Sequence, residues 1–288
     1  MYVNMKQMLQ EAMAGGYAVG AFNIVNDLTA AAAVTAAEEA RSPIILQTSV
    51  STVKQMGPEH LIALLKDIAE RATVPVAVHL DHCTDADMVK QCIVLGWSSV
   101  MIDMSKASFE ENIRATGEIV EIAKMWDATV EGELGSIVGV EDDIVVDERE
   151  AGLATPEASE EYVRRTGVSA FAPAIGTAHG LYKGTPNVRF GLFEAIRGRV
   201  GSPLVVHGGT GLSDNTFRKL VSLGAAKINI STAIKIAYCE GMAEYSIAHP
   251  GENNPLRLDR YATEKVKECV KAHIRIFGSE QKAMGGIS

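Results

Sequence analysis

The chain has 288 residues, 47% apolar and 22% charged, which suits one large globular domain or two small ones and excludes a fibrous or disordered protein. A formal net charge of −9, from 36 acidic and 27 basic side chains, argues against nucleic acid as the main partner. It leaves room for an anionic small molecule in a local basic pocket. The start, MYVNMKQMLQEAMAGGY, lacks the apolar stretch of a secretory signal, and no window offers the roughly 18 unbroken apolar residues of a membrane helix. Cys83, Cys92, Cys239 and Cys269 have no paired spacing and read as free thiols in a reducing compartment. A cytoplasmic protein with no membrane and no nucleic-acid partner is expected.

In chain order, short β-rich runs recur at 18–24 (AVGAFNI), 44–49 (IILQTS), 76–81 (VAVHLD), 99–103 (SVMID), 129–135 (TVEGELG), 170–176 (AFAPAIG), 203–209 (PLVVHGG) and 227–232 (KINIST). Each is nearly continuously hydrophobic, as strands covered on both faces should be. Helix-patterned stretches lie between them. One, 27–42, opens with Asp27 as its cap and stops before Pro43. A second starts from Ser108 and a third from Ser213, the third ending at Gly224. Eight strand–helix units without a Pro/Gly/Ser-rich linker predict a TIM (β/α)8 barrel, one domain over 1–288 with a helical tail from about residue 259 to the end. In that fold, functional groups belong at the C-terminal strand ends and in the loops that follow.

Three of seven histidines sit at such ends: His82 in HLDHC, His179 in GTAHG and His207 in VVHGG. One alone reads as structural. Three at one level of separate strands converge on an axis, and three imidazoles leave the open fourth position of a catalytic zinc. His79 supports this set rather than joining it. Asp81 reaches substrate or orients a ligand; the residues alone leave both open. Glu131 and Glu133 share a face by the two-residue period. Glu133 is an alternative or supporting ligand, or the partner of a barrel lysine or arginine. The acidic stretch SIVGVEDDIVVDEREAGLATPEAS reads as a long loop, either a lid carrying Glu141 or a solvated surface.

Phosphate signals occur twice. HGGTGLSD puts Gly208, Gly209, Thr210 and Gly211 before a helix cap, and KINIST ends with Asn229, Ser231 and Thr232 before another helix. Loops after strands seven and eight are the usual phosphate site of such barrels. HGLYKG adds Gly180 and Lys183, the lysine being a phosphate contact or a solvated loop residue.

GAFN, HLDHC, SVMID, EGELG, GVEDD, GTAHGLYKG, HGGTGL and KINIST, with a closing FGSEQKA, resemble end to end the class II fructose-bisphosphate and tagatose-bisphosphate aldolases. The resemblance implies zinc on His82, His179 and His207, with Asp81 as the acid/base for the hydroxyl proton. It implies Glu133 at a second metal position and Glu141 as the mobile-loop base for the donor's C3 proton. By the same resemblance Gly180, Gly208, Gly209, Ser231 and Thr232 hold phosphate, and Asn23, Ser49 and Asn229 touch substrate. A monovalent cation (Na+ or K+) near the phosphate and a homodimer or homotetramer are also implied. Two positions depart from the pattern. Val138 stands where many relatives carry a glycine, and Ala233 follows KINIST where many fructose-bisphosphate enzymes carry NxDTD acids. The second departure points to the tagatose-bisphosphate branch or to another ketose phosphate. A Schiff-base aldolase is disfavoured because Lys227 opens the last strand at its far end. A non-catalytic partner subunit has no need of the intact histidine and aspartate set.

Overall fold

The structure, a computed structural model, describes residues 1–141, 144–146, 152–180 and 186–283. Its elements in order are α1 (Met5–Gly15), β1 (Val19–Asn23), α2 (Asp27–Ala40), β2 (Ile44–Thr48), α3 (Val50–Met56), α4 (Pro58–Arg71), β3 (Val76–Cys83), α5 (Ala86–Leu95), β4 (Ser99–Ile102), α6 (Phe109–Lys124) and β5 (Thr129–Leu134). There follow β6 (Val138–Glu141), β7 (Ile144–Val146), α7 (Pro156–Thr166), β8 (Ala170–Pro173), β9 (Ala178–His179), α8 (Phe190–Arg197), β10 (Leu204–Val206), α9 (Asp214–Ser222), β11 (Ala225–Ile230), α10 (Thr232–Ala248) and α11 (Pro255–Phe277). All eight expected strands are present. They pair in parallel and close in the order β1-β11-β10-β8-β5-β4-β3-β2, which is the TIM barrel.

Alternation along each strand divides its side chains between two cores. Val78 and Leu80 of β3, Phe22 of β1, Phe171 of β8 and Ile228 of β11 face the helices in the larger core. Ala21, Ile45, Ala77, Ala170, Ala172 and Val205 point the other way, into a second core closed from below by Met5, Met8, Leu9 and Ala12 of α1. The small side chains leave room for α1 to plug the barrel floor. Each fully buried Met or Leu there contributes about 1.5–3 kcal/mol of transfer free energy.

Three sequence expectations are corrected. The cap of α2 is Asn26, not Asp27: Asn26 accepts from the Thr29 N–H while the Thr29 hydroxyl accepts from the Asn26 N–H. Both residues cap well, and Thr29 at the third helical position decides between them. The segment read as one loop before the sixth strand contains β6 and β7. They pair antiparallel, and β6 adds parallel to β9, with Gly139 opposite His179. Finally, β11 starts at Ala225, so Lys227 lies inside the barrel wall rather than at its far end. The helical tail is α11, whose Ala262, Val266, Val270, Ile274 and Phe277 form one buried stripe. Among the described residues no helix is long and apolar enough to cross a membrane.

Candidate metal centre and its surroundings

Above the apolar floor the barrel interior turns polar. His79, Asp81, Glu131, Glu133, Asn23, Gln47, Lys227 and Asn229 are all at most 3% exposed. Strand β3 carries Asp81 inward by ordinary alternation. The next residue, His82, should then face the helices, but its backbone is left-handed (φ 44°), and the β3–β4 register shifts between Leu80 and Cys83. That distortion, which costs about 1–3 kcal/mol for a residue with a side chain, puts two consecutive side chains at the mouth. His207 follows β10 directly, and His179 sits in β9.

The three rings meet. His82 lies 4.5 Å from His207 and 4.9 Å from His179, centroid to centroid. One nitrogen from each of the three falls within 4.8 Å of the others, and all three residues are buried. Carboxylates fix two of the rings from behind. His82 Nδ1 donates to Asp103 Oδ2 at 2.9 Å, and His207 Nε2 donates to Glu131 Oε1 at 2.7 Å. The nitrogens left facing the centre are therefore His82 Nε2 and His207 Nδ1. Carboxylate–imidazole pairs of this kind orient metal-binding histidines. Glu133 sits beside the triad, Oε2 3.1 Å from His207 Nδ1. Burial opposes charge on His207, as does His82, yet Glu131 and Glu133 carry its pKa up to about 9. On His82 burial likewise opposes charge, and Asp81, Asp103 and Glu133 outweigh it, holding the pKa well above the usual value. A pocket that favours positive charge at its centre this strongly fits a divalent cation on three imidazoles.

Asp81 is held by amide donors. Its Oδ2 accepts from Asn23 at 3.0 Å and Gln47 at 3.2 Å, and its Oδ1 accepts from Asn229 at 3.4 Å. His79 stands behind, bonded through Nδ1 to Ser99 Oγ at 2.8 Å, and burial with the nearby Lys227 charge keeps it neutral. Among the described residues, the group that could hold a metal is His82, His179 and His207, without His79. The partner of the barrel lysine is Glu131, not Glu133: Lys227 Nζ lies 2.8 Å from Glu131 Oε2. Burial opposes ionisation of Glu131, but the Lys227 charge and the His207 hydrogen bond hold its pKa well below the carboxylate range.

The glycine loop and the start of α10 adjoin. A side chain at Gly209 would meet the Asn229 carbonyl at 2.5 Å, and one at Gly208, where φ is 67°, would strike the Ala178 backbone. Thr210 Oγ1 accepts from the Ala233 N–H at 3.3 Å, so this threonine caps α10 from the neighbouring loop. Ser231 Oγ is buried without a hydrogen-bond partner among the described residues, at a helix end that attracts anions. Thr232 opens that helix, and Gly180 is left-handed at φ 81° beside His179. Ser49 has local work: its hydroxyl caps α3 by accepting from the Thr52 N–H at 3.2 Å. Lys183 and the side chain of Glu141 lie outside the described residues; the Glu141 backbone ends β6, two residues past the pairing with His179.

Sequence reading assigned no part to Asp103, Gln47 or Lys227. Asp103 was findable, since it ends a strand as the histidines do. The partners of Gln47, and the Glu131 that pairs with Lys227, lie on other strands, and single-strand patterns do not reveal them.

A family model described as fructose-bisphosphate aldolase class-II matches residues 3–282. The chain is 42% identical to fructose-bisphosphate aldolase of Geobacillus stearothermophilus, over 98% of each chain. It is 40% identical to the D-tagatose-1,6-bisphosphate aldolase subunit GatY of Klebsiella oxytoca, over 96% of this chain and 98% of that one. Identity to sulfofructosephosphate aldolase of Alkalicoccus urumqiensis is also 40%, over 98% of each. With a histidine triad at the mouth of a closed barrel and similarity along its whole length, the chain belongs to the class II fructose-bisphosphate aldolase family.

Proposed function

We propose that this aldolase reversibly cleaves a ketose 1,6-bisphosphate, tagatose or fructose, to dihydroxyacetone phosphate and an aldehyde such as glyceraldehyde 3-phosphate, using one zinc ion per subunit. The observation that carries this reading is the convergence of His82, His179 and His207 within 4.8 Å, against the Asp81 carboxylate. Zinc held by three neutral imidazoles keeps its charge, and when bound it polarises the donor carbonyl and stabilises the negative charge left by proton loss.

The chain's own groups move the protons and hold the sugar. Asp81 removes the hydroxyl proton as the carbon–carbon bond breaks and returns it to the aldehyde oxygen in synthesis. Its Asn23, Gln47 and Asn229 donors hold it aimed. Glu141 takes the donor's C3 proton; the register of β6 against the His179 strand supports that assignment. Glu133, at 3.1 Å from His207, offers an alternative metal position. Gly180, Lys183, Gly208, Gly209, Thr210, Ser231 and Thr232 bind phosphate, beside which main-chain oxygens would hold a sodium or potassium ion, whose charge would offset that of the phosphate. Anchoring the three-carbon unit lowers the entropy cost of the reaction. Asn23, Ser49 and Asn229 contact the sugar. We place the enzyme in the cytoplasm as a homodimer or homotetramer.

The substrate branch rests on Ala233, which stands where an acid would follow in many fructose-bisphosphate enzymes, and favours tagatose. Relatives named for the two sugars differ little in similarity, 42% identical for the fructose-bisphosphate and 40% for the tagatose-bisphosphate enzyme. The test is metal-dependent release of dihydroxyacetone phosphate from matched fructose and tagatose 1,6-bisphosphates, before and after chelation. Zinc-restored cleavage is expected, faster with tagatose. If metal-loaded enzyme cleaves neither, the substrate is another ketose phosphate, as the sulfofructosephosphate relative illustrates.

A further inference from the structure

We propose that the ammonium of Lys227 is a positioning group for both halves of the centre: through Glu131 it presents His207 Nδ1 to the metal, and through Asn229 it turns an amide N–H onto Asp81. This role presupposes the metal-dependent reading above.

Lys227 is 0% exposed. Removing an ammonium from water costs several kcal/mol unless charge and hydrogen bonds compensate it. Two partners do so, Glu131 Oε2 at 2.8 Å and Asn229 Oδ1 at 2.8 Å. Each contact dictates the next by donor–acceptor logic. An ammonium only donates, so Asn229 must turn its carbonyl oxygen to Lys227. Its NH2 is thereby left for the other side, where it meets Asp81 Oδ1 at 3.4 Å. A carboxylate only accepts, so Glu131, with one oxygen on Lys227, takes the Nε2 proton of His207 with the other at 2.7 Å. In the neutral ring that a metal would bind, the His207 lone pair is thereby placed on Nδ1, the nitrogen at the centre. One buried cation thus sets which atoms face inward on β5, β10 and β11.

Without that charge both links loosen. Asn229 is free to present oxygen to the Asp81 carboxylate, a repulsive arrangement. Glu131 keeps its negative charge with no cation to fix which oxygen faces His207. A lysine that merely filled space would be replaceable by an apolar chain of equal length.

Lys227→Met makes that replacement. Cobalt(II), a coloured stand-in for zinc, is titrated into the metal-free full-length protein, with a competing chelator to give the dissociation constant and the visible spectrum to report ligand geometry. Relative to the parent protein, cobalt affinity should fall about 10–100-fold, the loss typical when a partner behind a metal-bound histidine is removed. The visible bands should shift, and kcat of the zinc-loaded variant should fall with KM little changed. An unchanged dissociation constant and spectrum would overturn the role. If Lys227→Met does not fold, the double variant Lys227→Met/Glu131→Gln removes both charges and keeps a hydrogen-bonding side chain on His207. Weakened cobalt binding there supports the role, whereas parent-like binding and turnover overturn it. Failure of both variants to fold assigns Lys227 to stability alone and also overturns it. A parent protein that binds no cobalt would instead sink the metal reading itself, a result distinct from all of these.

Discussion

The floor of the barrel and its mouth are built from the same eight strands, yet they are made differently. At the floor, Ala21, Ala77, Ala170, Ala172 and Val205 form one apolar cluster with Met5, Met8, Leu9 and Ala12 of α1. Two to four residues further along the same strands stand Asn23, His79, Asp81 and His207, which are tied by hydrogen bonds to each other, to Ser99 and to the Glu131–Lys227 pair. Apolar packing tolerates volume-conserving exchange, whereas a buried polar network depends on every member. Damage at the two ends should therefore show in different measurements.

The largest effect is expected at the mouth, from His207→Ala. It removes one of three metal-facing nitrogens and leaves Glu131 and Glu133 without their shared ring. Zinc content by atomic absorption and aldol cleavage should disappear together; full zinc occupancy in this variant would overturn the ligand assignment. Next come the two proposed proton carriers, whose variants are each expected to leave zinc in place. Asp81→Asn keeps the shape of the side chain and removes the base, so kcat should fall about 10²–10⁴-fold. Glu141→Ala should abolish exchange of the donor's C3 proton with solvent, read by NMR in deuterated buffer. Loss of zinc in either variant would show that the residue holds metal rather than moves protons.

The same contrast explains what was legible in the sequence. Floor and wall strands are written in local alternation, which is why all eight were readable, and the triad was readable because strand ends are. Asn26 as cap of α2 was hidden by an equally suitable neighbour. Strands β6 and β7 are three or four residues each, interrupted by acids, and β6 gains its parallel neighbour only from residues 178–179. Lys227 looked remote because its position was judged along its own strand, while Glu131, its partner, comes from β5 across the barrel.

At the floor, Met5→Ala should cost about 2–5 kcal/mol of stability, as deletion of a fully buried methionine generally does. Denaturant unfolding would measure it. Zinc stoichiometry and kcat at a temperature well below the transition should match the parent. A loss of bound zinc in the folded variant would mean that floor and mouth are mechanically coupled and that the division drawn above fails.

The smallest expected effect lies at Ser49, where the two kinds of role meet in one side chain. Its hydroxyl caps α3 through the Thr52 N–H and also lies within 3.1 Å of the Ser51 and Thr52 hydroxyls, an arrangement complete without substrate. Loss of such a cap costs about 1 kcal/mol. Ser49→Ala should therefore lower the unfolding free energy by about that amount whether or not the sugar is touched. Kinetics separate the alternatives. A raised KM with unchanged kcat would show a contact made equally in ground and transition states, as proposed for the sugar. Unchanged kcat and KM beside the same loss of stability would leave Ser49 as a helix cap alone, and the sugar at that edge would be held by Asn23 and Asn229.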